Sequence, residues 1–281
     1  METLNEYRKR HEYLVCVDSD GCAMDTMDIK HFHCFGPCMV TEWGLEEWEK
    51  SILDRWNEVN LYTMTRGINR FKGLAIALTE VNAQYRPIED LNTLCQWAET
   101  SPTLSNDALR QAIDANPSST SLPKALRWSI AVNRSIQALP ESKIKPFALA
   151  REALAFAHKK ADVAIVSSAN LGAVLEEWEK HGLLPHTDIV LAQNVGSKAF
   201  CIAELLKKGY DPDKVLMCGD APGDLQAAEM NGVFYFPILV RKEKESWEEF
   251  MAEGFGHLLD GTYAGTYQDK KTAAFLHNLG G

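Results

Sequence analysis

A short apolar run that stops abruptly at acids sets the strongest limit on how this chain can fold: Tyr13-Leu14-Val15-Cys16-Val17 followed by Asp18-Ser19-Asp20-Gly21. A run of this length and composition reads as a buried parallel strand, and in open α/β sheets such strands deliver their last residues to a site at the carboxyl edge. Two carboxylates there are costly unless something uses them. One residue separates Asp18 from Asp20 and a glycine follows to let the chain turn sharply, so the two acids can converge on one cation and one substrate group.

Three later segments turn this pair into a constellation. Val163-Ala164-Ile165-Val166 is a second apolar run and ends in Ser167-Ser168. Gly196-Ser197-Lys198 opens a helical pattern. Val215-Leu216-Met217-Cys218-Gly219 ends in Asp220, with Asp224 four residues on. Asp18-x-Asp20-Gly21, Ser167, Lys198 and Gly219-Asp220-x-x-x-Asp224, in that order, resemble the four motifs of the haloacid dehalogenase-like hydrolase superfamily. The resemblance covers Tyr13 to Gly21 and about Pro146 to Leu239. It implies a doubly wound, Rossmann-like parallel α/β sheet with an all-helical cap inserted after the first motif.

The order of elements agrees. From Asp28 to Glu141 strand-like runs disappear and helical periodicity takes over, with helices predicted over Leu45–Asn60, Ile68–Tyr85, Ile88–Glu99, Asp107–Asn116 and Lys124–Leu139. Pro87, Pro102, Pro117 and Pro140 punctuate them. Trp43, Trp48, Trp56, Trp97 and Trp128 fall in this stretch and are expected to fill its core. From Pro146 strands and helices alternate: helix Ala148–Lys160, strand Val163–Val166, helix Leu171–His181, strand Asp188–Ala192, helix Ser197–Lys208, strand Val215–Cys218, helix Asp224–Met230 and strand Val233–Phe236. Strands joined by helices imply parallel pairing with right-handed crossovers. The expected domains are therefore 1–27 with 142–281 as a Rossmann-like catalytic core, and 28–141 as the helical cap. After Arg241 one amphipathic helix near Glu245–Ala252 is expected, followed by loops.

Composition excludes several classes. The formal net charge of −10 opposes binding to nucleic-acid phosphates or anionic lipid, and no basic run reverses it. No apolar stretch approaches the roughly 20 residues needed to span a bilayer, so a cytoplasmic protein is expected. Seven cysteines, an odd number with Cys16, Cys95, Cys201 and Cys218 in apolar surroundings, read as reduced core thiols. His31-Phe-His33-Cys34 with Cys38 brings zinc-ligand types together, but the spacing matches no closed four-ligand pattern, and ordinary packing is expected.

The resemblance also implies a chemistry. Asp18 would attack phosphorus to form a phosphoaspartate, Asp20 would protonate the leaving oxygen and then activate water, Ser167 would donate to a phosphoryl oxygen, and Lys198 would neutralise its charge. Two unit charges about 4 Å apart repel by about 4 kcal/mol at an effective dielectric near 20, so a phosphate dianion among these acids requires added positive charge. Hard oxygen ligands suit Mg2+, and the resemblance implies a metal-binding set of the Asp18 and Asp220 side chains and the Asp20 backbone carbonyl, with Asp224 holding a metal-bound water or orienting Lys198. Lys198 is followed by alanine where the family often has proline. An acid at position 20 is what phosphatases and phosphomutases carry and dehalogenases lack. Ser168 is implied at the substrate, and Arg70, in Thr65-Arg66-Gly67-Ile68-Asn69-Arg70, resembles the arginine with which related caps grip a substrate phosphate. The expected activity is a Mg2+-dependent phosphatase of a small phosphorylated metabolite. A sugar phosphomutase and a non-catalytic ligand-binding member are the alternatives.

Overall fold

The structure is a computed structural model that describes residues 2–281. Five parallel strands, β1 (Tyr13–Val17), β2 (Ala161–Val166), β3 (Ile189–Leu191), β4 (Val215–Gly219) and β5 (Phe234–Pro237), form one sheet in the order β3-β2-β1-β4-β5. The chain runs outward from β1 through β2 to β3, then returns to lay β4 on the other side of β1. The switch point of the topology therefore lies between β1 and β4, where ligand sites of open α/β sheets form. Register fixes what meets there: Val17 pairs with Ile165 on one side and with Cys218 on the other. The residues that follow, Asp18, Ser167 and Asp220, all emerge at the same carboxyl edge.

The chain divides into two compact units, Met1–Met27 with Ser142–Gly281, and Asp28–Glu141. The first holds the sheet, whose apolar strands are buried on both faces; Val15, Val17, Ile165, Leu216 and Phe236 pack with Trp178, Trp247, Phe250 and Tyr263 in its core. The second is all-helical. Its longer helices are Gly36–Trp43, Glu49–Leu61, Arg70–Gln84, Leu91–Thr100, Asn106–Ala115 and Ser121–Gln137. Trp56 and Trp128 meet edge-on at 6.2 Å, with Phe71 against Trp128, and form the centre of its core.

Two segments differ from the sequence expectation. His31–Phe35 is a wide helical turn that runs into the helix Gly36–Trp43. His31 is buried, stacks on Phe35 at 4.7 Å and accepts the Trp56 indole N–H, while His33 points to solvent, so this histidine pair faces two ways. The tail also carries more helix than its glycines suggest: Glu243–Glu249, a wide turn at Phe250–Gly254, Phe255–Leu259 and Thr266–Asn278. The last helix has little apolar periodicity because its work is at the sheet edge. Gln268 Oε1 accepts the outward Tyr235 N–H of β5 at 3.0 Å, the Tyr263 hydroxyl donates to Tyr235 O at 2.9 Å, and β5 ends in Pro237. An edge strand whose outward groups are already bonded does not recruit another strand.

At the opposite, amino edge, the charged N-terminal segment is held by a fully buried carboxylate. Asp162 accepts the backbone N–H groups of Arg10 at 2.8 Å and His11 at 3.0 Å, pairs with His11 Nδ1 at 2.9 Å, and receives the Tyr210 hydroxyl. Burial opposes the charge of Asp162, but these donors outweigh it and hold its carboxyl below the usual range. A depressed acid stabilises the fold fully above the unfolded value near pH 4 and loses that contribution as pH falls through the native value. Asp162→Asn is thus expected to cost about 1.5–3 kcal/mol at pH 7, the range for losing a charge-assisted bond. Urea unfolding should show this difference at pH 7 and a smaller one below pH 4. An equal loss at both would mean that packing, and not charge, is what the substitution removes.

Candidate active site

β1 carries Asp18 to the edge, where its amide donates to Cys218 O of β4 at 3.0 Å and its side chain is buried. The chain then folds on itself. Ser19 O accepts the N–H groups of Cys22, Ala23 and Met24 at 3.3, 3.1 and 2.8 Å, and Gly21, at φ +85°, supplies a backbone conformation that other residues adopt at a cost. This turn holds Asp20 half-buried, with the buried Thr26 hydroxyl donating to its Oδ1 at 2.5 Å. Nothing in the sequence marked Thr26; its only signal is a hydroxyl six residues after the acid.

β4 carries Asp220, which is fully buried, and the helix Pro222–Asn231 places Asp224 in its first turn. Asp224 Oδ2 accepts the Ala221 N–H at 3.0 Å, a helix-capping bond that orients its other oxygen. Gly219 is required for this approach: a Cβ there would lie 2.3 Å from the Asp224 carboxyl carbon. A carboxylate oxygen from each of Asp18, Asp220 and Asp224 lies within 4.8 Å of the others.

Lys198 opens the helix Lys198–Leu206, capped by Ser197, and its ammonium reaches 2.8 Å from Asp18 Oδ2 and 2.5 Å from Asp224 Oδ1. Burial opposes the charge on Lys198, but Asp18 and Asp224 outweigh it and hold the ammonium protonated well above its ordinary range. For Asp18 the balance goes the other way. Burial, opposed by Lys198 and reinforced by Asp224 and Asp220, pushes its carboxyl group up to about 8. Three buried carboxylates face one ammonium, and the donor set is entirely hard oxygen with neither imidazole nor thiolate. The residues present therefore fit a divalent cation of the Mg2+ kind, which would relieve the repulsion that raises Asp18.

Ser167 lies just past β2, buried, its N–H bonded to Leu191 O at 2.9 Å and its Oγ accepting the Ala169 N–H at 3.1 Å; the hydroxyl proton is left to donate elsewhere. Ser168 is exposed beside it. Arg70 belongs to the other unit. It is the first residue of the helix Arg70–Gln84, its guanidinium donates to Asn133 Oδ1 at 2.7 Å and to Ser129 Oγ at 3.3 Å, and it lies over the Phe35 ring at 5.1 Å. The first unit thus brings together Asp18, Lys198, Asp220 and Asp224, with Asp20 and Ser167 at the same edge.

Comparison with known proteins bears on this arrangement. The family model described as haloacid dehalogenase-like hydrolase matches residues 96–238, which include Ser167, Lys198, Asp220 and Asp224. Among solved structures, a protein from Lactobacillus delbrueckii subsp. bulgaricus, provisionally called a phosphoglycolate phosphatase, is 14% identical with a TM-score of 0.51, covering 80% of this chain and 85% of its own. A haloacid dehalogenase-like family hydrolase from Xanthomonas campestris is 12% identical with a TM-score of 0.49, covering 89% of this chain and 93% of its own. At such identities the first of these speaks to the fold alone. Comparison with curated proteins finds no match. Among the described residues no helix is long and apolar enough to cross a membrane. With its matched segment spanning half of the sequence, and a parallel sheet that gathers the acids at its switch point, the chain belongs to the haloacid dehalogenase-like hydrolases.

Proposed function

We propose that this protein is a Mg2+-dependent phosphatase that hydrolyses a small phosphorylated metabolite through a phosphoaspartate on Asp18. The observation that carries the reading is the buried cluster of Asp18, Asp220 and Asp224, the first and last of them paired with the Lys198 ammonium, at the switch point of the sheet. In this reading Asp18 Oδ attacks phosphorus, and Asp20, held by Thr26, gives a proton to the departing oxygen and then takes one from water. Lys198 and the hydroxyl of Ser167 meet the charge that develops on the phosphoryl oxygens, with Ser168 beside them. Asp18, Asp220 and Asp224 would hold the cation with Asp20, and when bound it supplies charge neutralisation and polarisation of the phosphoryl group. A panel of sugar phosphates, nucleotides and p-nitrophenyl phosphate, with and without Mg2+, tests the proposal. Absence of turnover on every member would reject it, and accumulation of an isomerised sugar phosphate would favour a mutase instead.

Arg70 is assigned to substrate binding, supported by a guanidinium that has no carboxylate within 4.0 Å among the described residues and whose pKa burial alone lowers. A charge-assisted bond from Arg70 to a second anionic group of the substrate is worth about 1.5–3 kcal/mol, so Arg70→Ala should lower kcat/KM for such a substrate by about 10- to 150-fold. Hydrolysis of p-nitrophenyl phosphate should not change. Equal losses on both esters would make Arg70 a structural residue of the helical unit.

A further inference from the structure

Asp20 stands on a loop, so its position is only as definite as the bonds that hold the segment Asp18–Thr26. The unit that carries the acids contains just two of the seven tryptophans in the chain, Trp178 and Trp247, and both indoles donate to this segment. Trp178, in the helix Leu171–Lys180, donates Nε1–H to Ser19 Oγ at 2.9 Å, between the two acids. Trp247, in the tail helix Glu243–Glu249, donates Nε1–H to Cys22 O at 3.2 Å, on the far side of Asp20. Both rings and both acceptors are fully buried, and Trp247 is itself braced edge-on by Phe250 at 5.6 Å. A buried indole requires some acceptor, but that requirement does not explain why the two should choose residues on either side of the same acid. β5 makes a related contact on β4, and the tail braces it: Tyr235 Oη donates to Gly219 O at 2.9 Å, one residue before Asp220, and Tyr263 Oη of the tail in turn donates to Tyr235 O. Trp247 and Tyr263 lie beyond the residues matched by the family model.

We propose that Trp178 and Trp247 are positioning residues, whose indole N–H groups grip the Asp18–Thr26 segment from two sides and so fix where the Asp20 carboxyl group stands relative to Asp18. The tail after Arg241 is then part of the catalytic apparatus and more than a cover for the sheet edge. The proposal rests on the phosphatase reading for its kinetic consequence, while its structural consequence is independent of activity. Displacing a catalytic group by a fraction of an ångström slows chemistry without weakening the hold on substrate, so Trp178→Phe and Trp247→Phe should each lower kcat by about tenfold or more and leave KM unchanged.

The experiment pairs steady-state kinetics on p-nitrophenyl phosphate with amide hydrogen exchange of the same variants. The amides of Cys22, Ala23 and Met24, which all donate to Ser19 O, should exchange about tenfold faster, while those of β4 keep their wild-type rates. Ser19→Ala removes the acceptor of Trp178 without opening a large cavity, and serves should either tryptophan variant fail to fold. It should reproduce the local increase in exchange. Exchange that rises uniformly across the sheet, or kcat that stays at the wild-type value when loop exchange has risen, would overturn the proposal. A wild-type protein inactive on every phosphoester would reject the phosphatase reading, and the exchange pattern would still decide whether the two indoles hold the loop.

Discussion

Asp18→Asn is expected to abolish turnover, lowering kcat on any phosphomonoester by at least ~10^4-fold, because an amide cannot form the acyl phosphate and the remaining groups have no nucleophile to assist. The same substitution should leave the fold intact. The asparagine Oδ1 can still accept from Lys198, which lies 2.8 Å from the present carboxyl oxygen, and a neutral amide beside Asp220 and Asp224 adds no charge to the crowded cluster at any pH. A variant that is inactive yet at least as resistant to heat as wild type would show that Asp18 is retained for chemistry at the expense of stability. Calorimetry and a phosphoester assay on one preparation give both answers. Retention of more than a few per cent of activity would remove Asp18 from the nucleophile's role and require another group of the cluster to take it.

How much of this was legible in the sequence depends on how local each signal is. The apolar runs before Asp18, Ser167 and Asp220 encode their own strand and its edge, because a parallel strand covered on both faces reads as a nearly continuous apolar run and the polar residue after it marks where the strand ends, even though these three residues are themselves buried. Lys198 was legible through Ser197, whose side chain caps the helix that Lys198 opens. The contacts that hold the loop were not legible. Trp178 and Ser19 are 159 residues apart, and Trp247 and Cys22 are 225 apart. No periodicity or spacing connects them, and a tryptophan on the buried face of an amphipathic helix reads as core whether or not its N–H has a particular destination. The final helix escaped notice for a related reason: Lys271 and Phe275 are its buried residues, too few to leave a stripe. Lys271 is tied to Glu249 and lies against Phe236 and Tyr267, a set of contacts assembled by the fold and absent from any one segment.

Stability should depend on pH and on Mg2+ in a linked way that needs no substrate to observe. In protein stripped of metal by EDTA, burial and the neighbouring acids push the Asp18 carboxyl group up to about 8, against an ordinary value near 4. Between those values the folded state keeps a proton that the unfolded chain has released. The unfolded state then binds fewer protons, and the free energy of unfolding falls as pH rises, by at most about 1.4 kcal/mol per pH unit for one such group. The metal-free protein should therefore melt at a lower temperature at pH 8 than at pH 6. Asp162, whose shift has the opposite sign, contributes its change only below pH 4 and does not disturb this window. A divalent cation at Asp18, Asp220 and Asp224 requires the carboxylates without that proton, so its affinity should increase with pH and its stabilisation should be largest where the metal-free protein is weakest. Calorimetry from pH 5 to 8 should show a declining melting temperature in EDTA and a shallower or reversed trend in saturating Mg2+. Asp18→Asn should flatten the EDTA curve, because the group that titrates is gone. A melting temperature at pH 8 that does not respond to Mg2+ would mean that Lys198 alone balances the three carboxylates, and the case for a metal at this site would fail with it.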